Sequence, residues 1–243
     1  MSNVAIIIQA RMTSTRLPGK VLLPVLGRPM FSFQIERLRK VRKANQIIVA
    51  TTVNSTDDPI VAFCADETLD CVCGSEHDVL SRYALAAQKS SADVVVRVTS
   101  DCPLLDPELV DRVIAEYLGE ERPDYASNML VPTWPYGMAV EVFSAAALYE
   151  AEAESSDPVE REHVTPFIYR HPERYRLLSV TQQENLSDHR WTVDTPEDFE
   201  LITRVLTELY PRNPDFRMDD VLKLLNRNPD WVKINQHIQQ KKI

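Results

Sequence analysis

The sequence predicts an α/β fold, with helices in three α/β/α layers around a mostly parallel sheet. A short apolar run rich in β-branched residues opens the chain at Val4 to Ile8. Similar runs then alternate with helix-length amphipathic stretches to about residue 118. Uninterrupted apolar runs mark strands buried on both faces, and their alternation with helices marks βαβ units with parallel pairing. No repeat, low-complexity tract or linker divides the rest, so the expectation is a single Rossmann-like domain over residues 1–243.

The elements follow in order. A helix is expected over 29–43, with Pro29 near its first position and Phe33, Leu38 and Val41 on its apolar face. A strand over 46–52 precedes Asp57-Asp58-Pro59, which supplies a cap and an early proline for a second helix. Strands over 69–73 and 93–99 enclose a helix over 77–89, and a helix over 107–118 follows. Beyond residue 120, strands over 125–130 and 138–143 flank a loop holding Pro132, Trp134, Pro135 and Gly137, the pattern of a small antiparallel excursion. Residues 144–154, 161–170, 196–210 and 218–225 read as helices, and 176–180 and 190–193 as extended.

The chain carries 27 basic and 36 acidic residues, a net charge of −9, which argues against a general nucleic-acid binder. Residues 1–49 nevertheless hold nine basic side chains against the single acid Glu36. Concentrated positive charge in an acidic chain suits a small polyanion, although the cations of 37–43 also suit the end of a helix. No apolar run is long enough to span a membrane or to serve as a signal peptide, so a soluble, cytoplasmic protein is expected. Cys64, Cys71, Cys73 and Cys102 form no Cys-x-x-Cys pair and read as buried thiols.

Three segments carry candidate chemistry. Ligands of open parallel sheets bind outside the carboxyl ends of the strands, where the loop from Gln9 to Lys20 must emerge. It holds Arg11, Arg16 and Lys20, hydroxyls that include Ser14, and no acid, a set able to clasp phosphates through guanidinium forks and an ammonium. It is neither a dinucleotide fingerprint nor a P-loop, because the glycines those need are missing. Asp101, just past the strand at 93–99, is placed to hold Mg²⁺ against a phosphate, although an aspartate near a proline also suits a turn. Asp194 precedes the helix start Thr195-Pro196-Glu197-Asp198 and is free to be a second metal ligand.

Together Ala10-Arg11-x-x-Ser14-x-Arg16-Leu17-Pro18-Gly19-Lys20, Asp101-x-Pro103 and Val193-Asp194-Thr195-Pro196-Glu197-Asp198 resemble the cytidylyltransferases that activate acidic sugars as CMP derivatives. Gln9-Ala10-Arg11 and Arg161-Glu162-His163-Val164-Thr165-Pro166 point to the spore-coat polysaccharide branch. The resemblance implies a nucleotide-diphospho-sugar transferase-like fold, CTP as co-substrate, Mg²⁺ as cofactor, a sugar-like acceptor and a homodimer built on the excursion. It also implies that Ala10, Arg11, Ser14, Arg16, Lys20 and Ser75 hold the nucleotide, that Asp101 and Asp194 ligate the metal, and that Arg11, Lys20 and both aspartates serve catalysis.

The octulosonate branch typically has glutamine and glycine where this chain has Thr99 and Ser100, which speaks against an eight-carbon keto-acid acceptor. Tyr136, Glu141, Arg161 and His163 are the candidate acceptor contacts. Glu141, between Val140 and Val142, faces away from both on a strand, toward acceptor or solvent. Two alternatives are a glycosyltransferase, for which Asp101-Cys102-Pro103 lacks the usual second aspartate, and a silent nucleotide-binding subunit, which would not need two metal carboxylates.

Overall fold

The computed structural model describes residues 2–240. The opening run forms β1 (Val4–Gln9), and a hairpin of β2 (Pro24–Val25) and β3 (Arg28–Pro29) leads into α1 (Met30–Leu38). There follow β4 (Gln46–Thr52), α2 (Asp58–Asp66), β5 (Asp70–Gly74), α3 (Val79–Lys89), β6 (Val94–Thr99) and α4 (Pro107–Tyr117). Next are β7 (Tyr125–Ser127), β8 (Glu141–Ser144), α5 (Ala145–Glu154), α6 (Pro158–His163), α7 (Pro166–Tyr169) and β9 (Leu177–Ser179). Three helices end the described chain, α8 (Pro196–Leu209), α9 (Met218–Arg227) and α10 (Pro229–Val232).

Seven strands form one sheet in the order β5-β4-β1-β6-β8-β7-β9, parallel except that β8 runs against both its neighbours. Side chains alternate between the faces, and each face buries its own cluster. Ile6, Ile8, Val96 and Val98 pack with Phe31 and Phe33 of α1, Leu109 and Val113 of α4, Leu201 and Val205 of α8 and Leu225 of α9. Ala5, Ile7 and Val95 pack with Leu80 and Tyr83 of α3, Leu148 of α5 and Ile168 of α7. The expected three-layer architecture is therefore present.

Three expectations are amended. The two strands of the excursion close onto the main sheet, β8 beside β6, because its apolar face completes the core, so only residues 128–140 leave the sheet. The helix expected over 161–170 is two short helices split at Val164, whose φ of 73° cannot continue a helix. The extended segment at 190–193 joins no strand, and makes one isolated bridge from Arg190 to Tyr136.

The chain passes from β1 to β4 on one side of the sheet, while β6 lies on the other side of β1. That reversal makes the carboxyl ends of β1 and β6 the crevice where an open α/β sheet takes its ligand.

Candidate active site

A cavity of about 380 Å³ opens at this crevice. Its walls include Gln9, Ala10, Arg11, Ser14, Arg16 and Lys20 from the loop after β1. The loop is fixed locally: the carbonyl of Met12 accepts from the amides of Ser14 at 3.0 Å and Gly19 at 2.9 Å. Buried Asp57 ties the loop to the end of β4, accepting from the Met12 amide at 2.7 Å and the Thr52 hydroxyl at 2.5 Å.

Lys20 is buried and donates all three of its hydrogens. Its Nζ lies 2.9 Å from Asp101 Oδ2, 2.8 Å from Asp194 Oδ1 and 2.8 Å from the carbonyl of Val193. Burial alone would raise the Asp101 carboxyl, but Lys20 and the Thr99 hydroxyl, 2.6 Å from Oδ1, hold it below its ordinary value. Burial opposes the charged form of Lys20 too, and the two aspartates outweigh it, so its pKa is raised. Arg16 pairs with Asp194 Oδ2 at 2.9 Å.

Support behind Asp194 comes from Arg190 and Asn235, which the sequence reading passed over, and from Asp198, read there only as part of a helix start. Arg190 reaches Asp194 at 3.2 Å and grips Asp198 through two bonds of 2.8 Å. Asp198 also closes the capping box of α8 with Thr195 and accepts from Asn235 at 2.8 Å. Thr195-Pro196-Glu197-Asp198 thus starts a helix and anchors an arginine, a second use that only the fold reveals. Tyr136 lies behind this cluster with its ring under Arg190, 5.3 Å from the guanidinium carbon, and is absent from the cavity wall. The chain comes this close because residue 137 is glycine: a Cβ there would lie 2.5 Å from the Thr192 nitrogen.

The other expected acceptor contacts divide. His163 lines the cavity beside Glu162, and burial lowers its pKa. Glu141 is neither solvated nor on the wall. It is buried, pairs with Arg97 directly opposite on β6, and accepts from Tyr125 at 2.6 Å and Thr165 at 2.5 Å. Arg97 in turn donates to Gln9 Oε1 at 3.1 Å, which links Glu141 to a residue of the cavity wall. Arg161 also stands off the wall, bound to Asp78, the N-cap of α3, and to the carbonyl of Glu152 at 2.6 Å. Ser75 is exposed and lies outside the wall, where Glu76 and His77 take its place.

Among the described residues no group of three or more His, Cys, Asp or Glu side chains is gathered to hold a metal. Two carboxylates do converge: the Lys20 ammonium marks one point within 2.9 Å of oxygens from both Asp101 and Asp194. That donor set fits a hard divalent cation of the Mg²⁺ type, which takes one or two carboxylates and completes its shell with phosphate oxygens and water.

A family model for cytidylyltransferases matches residues 5–226. The chain is 33% identical over 237 residues to the spore coat polysaccharide biosynthesis protein SpsF of Bacillus subtilis, covering 95% of this chain and 97% of that protein. The structure of a cytidylyltransferase from Leptospira borgpetersenii superposes with a TM-score of 0.91 at 29% identity, over all of both chains. The CMP:2-keto-3-deoxy-manno-octonic acid synthetase solved with CTP superposes at 0.64 and 18% identity, covering 85% of this chain and 99% of that one, a likeness of fold. No helix among the described residues is long and apolar enough to cross a membrane.

Proposed function

The chain belongs to the cytidylyltransferase family, and from that premise we propose that it transfers CMP from CTP to a sugar-like acceptor for cell-surface polysaccharide assembly. The observation that carries the reading is the meeting of Asp101 and Asp194 on Lys20 beside a loop of cations. An acceptor hydroxyl oxygen attacks the α-phosphorus, the bond to the β-phosphate oxygen breaks, and pyrophosphate and a proton leave. Phosphoryl and nucleotidyl transfers of this kind need little covalent help, and are driven by positioning and by charge aimed at the reacting phosphate.

Arg11, Arg16 and Lys20 would hold the triphosphate, and Ala10 and Ser14 would line its path. Asp101 and Asp194 would hold Mg²⁺, which when bound neutralises charge developing on the phosphates. His163, on the cavity wall with its pKa lowered by burial, would take a hydrogen bond from an acceptor hydroxyl. We place the enzyme in the cytoplasm, as a homodimer formed around the excursion; the resemblance to the sugar-activating cytidylyltransferases supports both.

The test is pyrophosphate release from CTP, UTP, GTP and ATP with Mg²⁺, against acidic, neutral and phosphorylated sugars, with mass spectrometry of products. Release with CTP and one acceptor establishes the reading and names the substrate. Release with another nucleotide alone, or CTP that neither reacts nor raises the melting temperature, overturns it.

A further inference from the structure

Three of the four cysteines meet where α2 turns back into β5, away from the cavity, whose wall holds none of the four. The turn is a Schellman motif. The Thr68 amide donates to the carbonyl of Ala65 at 3.1 Å, the Leu69 amide to the carbonyl of Cys64 at 2.8 Å, and Thr68 takes the left-handed φ of 55° that the motif needs. Such a turn sets the residue that follows it against the last turn of the helix, here Leu69 against Cys64. Leu69 and Cys71 both pack on the apolar cluster that contains Cys64, while Val72 belongs to the cluster on the opposite face of the sheet. Alternation then puts Cys73 on the same face as Cys71, and the Cys71 thiol interacts with those of both Cys64 and Cys73. Cys64 is buried, as the sequence suggested for all four thiols, but Cys71 is half-buried and Cys73 exposed, because β5 is the edge strand of the sheet.

The three thiols differ in reactivity. Contact with Cys64 is the leading influence on Cys71 and holds its thiol below the ordinary value against the effect of burial. Lys89, whose Nζ donates to the Cys71 carbonyl at 3.0 Å, acts in the same direction. Cys64 is pushed up, first by the same contact and then by burial, and burial pushes up Cys73. Cys71 therefore holds the largest share of thiolate, the form that reacts, with a protonated thiol beside it. Geometry selects the partner. Residues two apart on a strand lie ~6.7 Å apart with parallel Cβ vectors, whereas a disulfide needs Cβ atoms about 3.5 to 4.5 Å apart. Cys73 cannot bridge to Cys71 while β5 holds, and Cys64 approaches from another element across the turn.

We propose that Cys71 is a redox modification site, oxidised by hydroperoxides and resolved by Cys64 into a disulfide that joins α2 to β5. The Cys71 thiolate sulfur attacks a peroxide oxygen, the O–O bond breaks, and the leaving hydroxide or alkoxide takes the proton that the thiol shed. The Cys64 sulfur then attacks the sulfenic acid at Cys71. An S–S bond forms, the S–O bond breaks, and hydroxide leaves as water with the Cys64 proton. Two thiols are oxidised and one hydroperoxide is reduced, and a dithiol reductant reverses the change. Cys102 is the internal control, since burial and the neighbouring Asp101 push its thiol up and keep it inert.

The test treats the whole protein with hydrogen peroxide at about pH 7.5, where a lowered thiol is largely thiolate. Catalase then stops the reaction, iodoacetamide blocks the remaining thiols, and cleavage after Glu67 separates Cys64 from Cys71 for mass spectrometry. The wild type should lose two of its four free thiols, in a link between the Cys64 and Cys71 peptides that dithiothreitol opens, with Cys73 and Cys102 alkylated. Cys73→Ser should form the same link at a rate within about two-fold of the wild type, because the attacking and resolving thiols are untouched. Cys64→Ser should form no link and accumulate sulfenic acid at Cys71, which dimedone traps. A link through Cys73, first oxidation at Cys73 or Cys102, or four thiols intact in peroxide that oxidises free cysteine overturns the proposal. The wild-type peptide map decides it even if Cys64→Ser fails to fold.

Discussion

Lys20 joins a carboxylate from each side of the crevice, and the pH dependence of folding should report that junction. Asp101, held below its ordinary pKa, contributes stability above the unfolded carboxylate value of about 4, and that contribution is lost as pH falls through the folded value. Lys20, raised in the fold, contributes stability that is complete below its unfolded value of about 10.4 and lost as pH rises through the folded one. Lys20→Met removes the charge that does most to hold Asp101 low, so its carboxyl pKa should rise. Taking one partner from a buried ion pair costs about 3 to 5 kcal/mol. We therefore expect urea denaturation of Lys20→Met in chelator to show a loss of about 3 kcal/mol at pH 7.5. The loss should shrink at pH 5, and millimolar Mg²⁺ should restore more stability to the variant than to the wild type. A loss independent of pH would trace to packing of the lysine stem, and no effect of Mg²⁺ would remove Asp101 and Asp194 as a metal pair.

Between α6 and α7 the chain makes a three-residue turn: the Thr165 amide donates to the carbonyl of His163 at 2.9 Å, and Val164 sits at φ 73° and ψ −56°. This is the positive-φ γ-turn, which is rare and strained, most of all for a β-branched residue. It presents Glu162 and His163 to the cavity and the Thr165 hydroxyl to Glu141, so strain here supports the site. Val164 is also fully buried, which sets two effects against each other. Val164→Ala loses methyl packing and keeps the strain, and should cost about 1 to 2 kcal/mol in chemical denaturation. Val164→Gly loses more side chain and relieves the strain, so it should cost no more than the alanine variant. Glycine worse than alanine by its usual ~1 kcal/mol would mean that the turn is unstrained. The same element shows where the sequence was legible and where it was not. Strands β1, β4 and β6 announce themselves by β-branched runs, and the loop at 10–20 by its cations, because local composition determines both. The hairpin of β2 and β3 has two residues per strand, too few to form a pattern. The helix break at Val164 carries no glycine or asparagine to mark it, and only Pro166 hints at it. Glu141 looked like a lone carboxylate, since Arg97 gives it its role from another strand.

No half of the chain holds the site alone, since its cavity draws on Gln9 and Lys20 near one end and Asp194 near the other. The same coupling runs through the core. Arg37 of α1 donates to the carbonyls of Leu105 and Phe216 at 2.9 and 3.0 Å, and β1 shares one apolar cluster with α8 and α9. Elements joined in this way have no boundary along which to separate, so the chain should unfold in one transition. A ligand binding only the folded state at 100 times its dissociation constant adds about 2.7 kcal/mol. In a chain of 243 residues each kcal/mol shifts the midpoint by roughly 2 to 4 °C. CTP with Mg²⁺ at that excess should therefore raise one calorimetric transition by about 5 to 10 °C. Hydrogen exchange should show the gain at α9, far from the cavity, as well as at β1. Two transitions, with only one of them moved by CTP, would show that the C-terminal helices fold as a separate unit and that the cavity's tie to them through Asp194 is too weak to join the two.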